Sequence, residues 1–150
     1  MLNSSIPERK PTEIKPYLFS RLGGRKKINH VVEHFYKLVQ SDEELRALFP
    51  SNLREGKEKQ KLFIEQWLGG ESRYTDLYGH PRLRRRHFPF VITEKLAGLW
   101  LRHMIESFRY CGIGEQELAE VVAIFGPMAK HMVNANDNVP REPLADTWLD

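Results

Sequence analysis

The sequence has a single cysteine, Cys111, and no long apolar run, and these two absences exclude several classes of protein. One thiol cannot form an intramolecular disulfide or a cysteine-based zinc cluster, and it agrees with a reducing compartment. No apolar stretch is long enough to span a membrane, and the first residues contain no apolar signal core. We therefore expect a cytoplasmic protein without a membrane partner.

The chain also has little excess of either charge. Its 23 Lys and Arg residues and 20 Asp and Glu residues give a formal net charge of +3, too small to predict nucleic-acid binding by itself. The fractions of 41% hydrophobic and 29% charged residues are typical of a globular protein, and 150 residues fit one domain. No phosphate-binding glycine-rich loop, HExxH motif or nucleophile elbow is present.

Proline and charge patterns divide the chain into three parts. Residues 1–16 contain three prolines and predict a flexible leader, residues 17–136 form the domain, and residues 137–150 are a C-terminal tail. The tail contains three large apolar residues that could dock on the domain, Leu144, Trp148 and Leu149.

The first half of the domain shows a helical period. Gly23-Gly24 precedes a long apolar stripe. Ser41 is expected to cap a short helical turn that ends at Pro50. Ser51 or Asn52 should cap the next helix, which ends at Gly69-Gly70. The stripe consists of Ile28, Val31, Val32, Phe35, Tyr36, Leu38 and Val39.

The second half continues this pattern after an irregular stretch. Residues 71–80 are predicted to be a loop, and residues 81–88 a helix of about two turns. Thr93 should cap a long helix that closes near Gly112, and a last helix should cover about 115–135, kinked or interrupted at Gly126-Pro127. No segment has a sustained period of two, so the predicted fold is all-α.

The most informative short stretch is HPRLRRRHFPF, residues 80–90. Pro89 disfavours the helical conformation at Phe88, which places His87 in the last helical turn. There the imidazole can donate Nδ1–H to a carbonyl near Leu83 and leave Nε2 bare, as a metal-ligating histidine requires. Two alternatives remain open at this point, because His87 could be a helix-end cation and the arginines a solvated face or phosphate contact.

Three polar donors lie on otherwise apolar helix faces. Tyr36 and Trp100 belong to apolar stripes, and Gln60 follows Gly56 by one turn on an inward face. Buried polar groups of this kind need partners. Either each bonds to nearby backbone, or the three converge with His87 on a pocket.

The ordered motifs resemble the truncated haemoglobins, specifically the group II, or O-type, branch, over about residues 19–136. The most specific of them is Gly79-His80-Pro81-x-Leu83-x-x-Arg86-His87-x-Pro89-Phe90-x-Ile92. The others are Gly23-Gly24, Phe35-Tyr36, Phe49-Pro50, Gln66-Trp67-Leu68-Gly69-Gly70, Tyr74-Thr75, Trp100-Leu101-x-x-Met104 and His131-Met132-Val133-Asn134.

This resemblance implies a two-over-two helical sandwich around haem b (iron), with His87 as the proximal ligand. It places Tyr36, Gln60 and Trp100 on the distal side. Gly56 occupies the position where globins usually carry a distal side chain. The resemblance also implies that Phe49 packs on the haem edge.

The haem propionates and the walls of the pocket suggest further site residues. Arg84 or Arg86 is expected to bind a propionate, with Tyr74 and Lys57 as additional partners, while Arg82 and Arg85 face water. Apolar walls are expected from Phe63, Phe90, Ile92, Phe88 and Leu96.

The function expected from these residues is tight, reversible binding of dioxygen and other diatomic gases by a monomer or homodimer. An alternative is a haem redox enzyme, peroxidase-like or nitric oxide detoxifying, which would need an external reductase. A third hypothesis has the 82–87 run binding nucleic-acid phosphates without haem, and the resemblance argues against it.

Overall fold

The computed structural model describes residues 14–141, with side chains from Leu18 onward. Residues 14–16 of the expected leader belong to the first helix, and residues 137–141 of the expected tail are also described. The rest of both segments, including Leu144, Trp148 and Leu149, lies outside the described residues. None of the helices between residues 14 and 141 is long and apolar enough to cross a membrane.

Residues 14–141 form helices without any strand, which confirms the all-α prediction. The helices in chain order are α1 (Ile14–Arg21), α2 (Gly24–Gln40), α3 (Glu43–Arg46), α4 (Arg54–Trp67), α5 (Arg73–Tyr78), α6 (Leu83–Arg86), α7 (Glu94–Tyr110) and α8 (Glu115–His131).

Four of these helices build the body of the fold as two pairs. Helix α2 packs on α4, α7 packs on α8, and α2 also contacts α7, which gives the expected two-over-two arrangement. The core between the pairs includes Phe35, Phe108 and Phe125, each 0% exposed. Complete burial of one such side chain contributes roughly 1.5–3 kcal/mol, so these contacts dominate the stability of the sandwich.

The predicted cap of α7 is confirmed, whereas the N-caps of α3 and α4 are each later in the chain than expected. Thr93 caps α7 as expected, since its side chain accepts a hydrogen bond from the Leu96 amide at 3.1 Å. Asp42 caps α3 in place of the expected Ser41, because its carboxylate accepts from the Leu45 amide and also lies 2.7 Å from His103 Nε2. Leu53 stands at the N-cap of α4 and its side chain makes no cap, but the expected Asn52 accepts a hydrogen bond from the Arg54 amide, the first of α4, at 3.0 Å.

The prediction of a loop over residues 71–80 was wrong, because α5 occupies most of that stretch. A helix of six residues is too short to show a period. Tertiary contacts from α4 define it instead: Gln66 accepts from the Thr75 amide at 2.9 Å and donates to the Thr75 hydroxyl at 2.7 Å.

Two further boundaries differ from the predictions. Helix α6 covers only Leu83–Arg86, because Arg82 adopts a left-handed conformation with φ 46° and keeps Pro81 out of the helix. Helix α8 continues through Pro127 and ends at His131 rather than near residue 135. The earlier end follows from Asn134, which is completely buried and pairs with Ile92.

Candidate functional site

A cavity of about 190 Å³ lies where α2, α4, α7 and α8 meet the α5–α6 region. Its lining is mainly apolar and aromatic, and it brings together most of the residues predicted for the site. Ten predicted residues contribute to it: Tyr36, Phe49, Gln60, Phe63, Tyr74, His87, Phe90, Ile92, Leu96 and Trp100. Five others, Gly56, Lys57, Arg84, Arg86 and Phe88, are not part of the lining.

His87 follows the last residue of α6 and faces this cavity. Its Nδ1 lies 2.7 Å from the Leu83 carbonyl oxygen, so the hydrogen bond expected from the sequence is confirmed. A carbonyl can only accept, and Nδ1 of the neutral ring must therefore carry the hydrogen. Nε2 then keeps its lone pair, which is the state in which an imidazole binds a metal.

The turn that carries His87 is tied to the end of α8 by Asn134. This amide donates to the His87 carbonyl at 3.1 Å and accepts from the Ile92 amide at 2.9 Å. Arg141 adds hydrogen bonds to the carbonyls of Phe88 and Phe90, both at 3.1 Å. The backbone on the C-terminal side of His87 is therefore held by polar contacts rather than by a helix.

Tyr36 lies at the centre of an aromatic cluster on the long helices. The ring is 5% exposed and meets Phe35 at 5.6 Å and Phe49 at 5.8 Å between centroids, edge to face in both cases. Trp100 makes the same kind of contact with Phe35 at 5.6 Å. Since Gln60 also lines the cavity, the three predicted donors approach one space from α2, α4 and α7.

A lysine that the sequence reasoning missed also lines the cavity. Lys59 is 4% exposed, and its Nζ lies 4.5 Å from the centre of the Tyr78 ring. Gly56, Lys59, Gln60 and Phe63 have the i, i+3, i+4, i+7 spacing of one helix face, so the period could have identified it. The predicted Lys57 lies off that face and places Nζ 3.0 Å from Glu33 on α2.

The two arginines that flank His87 bond to other groups. Arg84 donates to the His131 carbonyl at 3.0 Å and forms an ion pair with Asp137. Arg86 is 3% exposed and donates to the Pro81 carbonyl at 2.8 Å. Gly56 is half-buried in the first turn of α4, outside the cavity lining.

A buried carboxylate fixes α5, and thereby Tyr74, against the long helices. Glu65 is 1% exposed and pairs with Arg25 at 3.1 Å and with Arg73 at 2.7 Å. Burial alone would raise the pKa of Glu65, but the hydrogen bonds and charges of the two arginines outweigh it and hold the pKa below its ordinary value. Glu65 is therefore ionised and links α2, α4 and α5 at neutral pH.

The residues around the cavity fit a haem group. A porphyrin needs an apolar slot, one axial imidazole with a free lone pair, and cations for its carboxylates. The cavity supplies aromatic and aliphatic walls, the Nε2 of His87 and the buried ammonium group of Lys59. An all-helical sandwich with an imidazole and several aromatic donors along one apolar cavity defines the globin class.

Comparisons with known proteins give the family within that class. A model of the bacterial-like globins matches residues 17–134, and the chain belongs to this family of haem proteins that bind diatomic gases. The group 2 truncated haemoglobin YjbI of Bacillus subtilis (strain 168) is 41% identical over 117 residues, which cover 76% of this chain and 86% of that protein.

Solved structures agree with this assignment. The group II truncated haemoglobin from Bacillus anthracis has a TM-score of 0.77 and 38% identity, covering 81% of this chain and 94% of that one. A truncated oxygen-avid haemoglobin from Bacillus subtilis has a TM-score of 0.74 and 37% identity, covering 78% and 98%. Both likenesses place the chain among the group II truncated haemoglobins.

Proposed function

We propose that this protein holds haem b through His87 and binds dioxygen tightly and reversibly, with Tyr36, Gln60 and Trp100 as donors to the gas. The observation that carries the proposal is the 2.7 Å contact between His87 Nδ1 and the Leu83 carbonyl, at a cavity that these donors also line. The contact sets both the tautomer and the orientation of the ring.

Haem b is supported by the cysteine content of the chain. Covalent attachment of a c-type haem uses the thiols of a C-x-x-C-H motif, whereas this sequence has one cysteine. Cys111 follows α7 and is not part of the cavity lining. The group would therefore be held by coordination, packing and ion pairing alone.

The donors around the cavity support tight binding of the gas. Haem iron, when bound, supplies the site for a diatomic gas and makes held dioxygen electron-rich. A hydrogen bond from Tyr36 to such an acceptor contributes roughly 1.5–3 kcal/mol, and 1.4 kcal/mol is about tenfold in affinity. The oxygen-avid description of the Bacillus subtilis relative agrees with this expectation.

The two propionates of haem need cations at the edge of the slot. The geometry supports Lys59 and Tyr74 for this role, because both are buried and both line the cavity. The sequence predicted Arg84 or Arg86 as the propionate partner. Both already donate to backbone carbonyls, which makes them weaker candidates than Lys59. Phe63, Phe90 and Ile92 would exclude water from the bound group.

The direct test is the dioxygen dissociation rate of the Tyr36→Phe variant, measured by stopped-flow mixing of the oxygenated protein with carbon monoxide. Loss of the phenol hydroxyl should raise this rate by about tenfold to a hundredfold. The aromatic packing on Phe35 and Phe49 should remain, since the ring is kept.

Tyr110→Phe is the matched control, because Tyr110 is 73% exposed and stacks on His34 rather than lining the cavity. Its dissociation rate should equal that of the unaltered chain. If Tyr36→Phe also left the rate unchanged, the donor role of Tyr36 would be refuted.

A further inference from the structure

A second, open groove of about 880 Å³ lies along α6 and α8, and we call it the arginine groove. The charged side chains in its lining are Arg82, Arg84 and Arg85, and the other polar ones are Gln66, Thr75, His80 and His131. Among residues 14–141, no Asp or Glu belongs to the lining. The groove is therefore a concentrated positive surface on a chain whose formal net charge is only +3.

Two of these arginines have exposed side chains. Arg82 and Arg85 are exposed, and no described residue pairs with the guanidinium of Arg85. Arg84 differs, because it binds the His131 carbonyl and Asp137. Arg84 therefore joins α6 to the end of α8, whereas the charge of Arg85 stays exposed to solvent.

The base of the arginine groove is apolar. Ile124, Met128 and Leu83 are half-buried within it, and Pro127 is exposed. A partly apolar base with a rim of arginine is the composition of protein–protein interfaces, in which Arg, Met and Trp are enriched. A site for nucleic-acid phosphates has no need of an exposed apolar base.

The arginine groove is separated from the cavity that His87 faces by a single layer of side chains. Leu83, Met128 and Met132 line both spaces. His87 directly follows α6, the helix that supplies Arg84 and Arg85. A protein docked in the groove would therefore lie close to whatever the cavity holds.

We propose that the arginine groove docks an acidic redox protein that delivers one electron to the haem, an inference that rests on the proposed function. The flavin or iron–sulfur centre of the partner would lose one electron, ferric haem iron held by His87 would gain it, and no atom would be transferred. Opposite charges at such small interfaces steer the encounter and make it sensitive to salt.

The test uses oxidised flavodoxin, a small acidic flavoprotein, titrated calorimetrically into the full-length haem-loaded chain at low and at physiological salt. The Arg82→Gln/Arg85→Gln double variant should raise the Kd by about tenfold at low salt and flatten its salt dependence. Arg85→Gln alone should act in the same direction by about threefold, and it leaves the unusual backbone at Arg82 untouched.

The matched control is Lys26→Gln/Arg102→Gln, which removes two exposed charges from outside the arginine groove and should leave the Kd unchanged. Equal effects of the two double variants, or no flavodoxin binding at low salt, would overturn the proposal. Duplex DNA binding that depends on Arg82 and Arg85, without flavodoxin binding, would overturn it too and identify a nucleic-acid site.

A second readout separates this inference from the proposed function. The rate at which photoreduced flavodoxin reduces the ferric chain should fall in the groove variant and stay constant in the control. A preparation without haem absorption would refute the proposed function, whereas arginine-dependent flavodoxin binding to that same preparation would still support the docking surface.

Discussion

The two sides of the cavity are built in different ways. One side consists of cavity-lining side chains from α2, α4 and α7, and we call it the long-helix wall. These helices have 14 to 17 residues and pack through completely buried apolar side chains. The α5–α6 segment, residues 71–92, contains helices of six and four residues and two positions of positive φ, Gly79 and Arg82. Packing holds the first region, whereas hydrogen bonds and ion pairs hold the second.

This difference separates the proposed roles of the residues. The donors to the gas, Tyr36, Gln60 and Trp100, belong to the long-helix wall, and the axial ligand His87 belongs to the α5–α6 segment. Changes in the wall should therefore alter gas kinetics at nearly constant stability. Changes in the polar anchors of the segment should alter stability and haem retention together.

The largest effect is expected from Glu65→Ala, which removes the carboxylate that joins Arg25 and Arg73. Breaking a buried ion pair by removing one partner costs about 3–5 kcal/mol, and we expect the free energy of unfolding to fall by about 3 kcal/mol in urea titrations at pH 7. Because folding lowers the pKa of Glu65, its stabilising contribution exists above the unfolded pKa of about 4.3 and is lost as the pH falls through the folded value.

The pH dependence gives this prediction a second check. The difference in stability between the unaltered chain and Glu65→Ala should shrink below about pH 4. Glu71→Ala is the control, since Glu71 meets Arg25 with a side chain that is 73% exposed and should cost less than about 1 kcal/mol. Equal losses in the two variants would show that Glu65 does not anchor α5.

A smaller effect is expected from Asn134→Ala, which leaves the buried Ile92 amide without its acceptor. An unsatisfied buried group costs about 1–3 kcal/mol, and the freed turn should also hold His87 less firmly. We expect a lower midpoint of urea unfolding and faster loss of haem to excess apomyoglobin. Asn136→Ala, at an exposed position two residues later, should change neither quantity; an Asn134 variant that behaved in the same way would contradict the anchoring role.

The smallest effect on stability is expected from a pair of lysine variants on α4. Lys59→Met should speed haem loss severalfold, because it removes the proposed partner of a propionate. Lys57→Met should leave haem loss unchanged and reduce stability by less than about 1 kcal/mol, since its pair with Glu33 is partly exposed. The reverse result would assign the propionate to Lys57, as first expected from the sequence.

The long-helix wall could be predicted from the sequence and much of the α5–α6 segment could not. The apolar period located α2, α4 and α7, because each has enough turns for a pattern to repeat, and the predicted cap Thr93 marked the start of α7. Helix α5 and the left-handed Arg82 depend on contacts with α4 and on local backbone geometry, which leave no period. His87 is the exception within the segment, since Pro89 alone determines where its helix must end.

Lys59 was missed as a site residue, and Asn134 was noted only as part of a motif, without its anchoring role. Lys59 shares the inward face of Gly56 and Gln60, but lysine side chains are rarely buried, so a charged residue on that face is easily overlooked. Asn134 lies after the end of α8, and its partners His87 and Ile92 are more than forty residues away in the chain. No local pattern encodes a contact at that separation.

The central claim is that the His87 imidazole holds the haem iron, and the His87→Gly variant tests it most directly. Absorption spectra of this variant should be recorded under air, under nitrogen and with added imidazole. We predict weak and unstable haem absorption without imidazole, with recovery of the haem bands when the free base fills the vacated space. A variant that kept its spectrum and its colour change with dioxygen, without any imidazole, would contradict the claim.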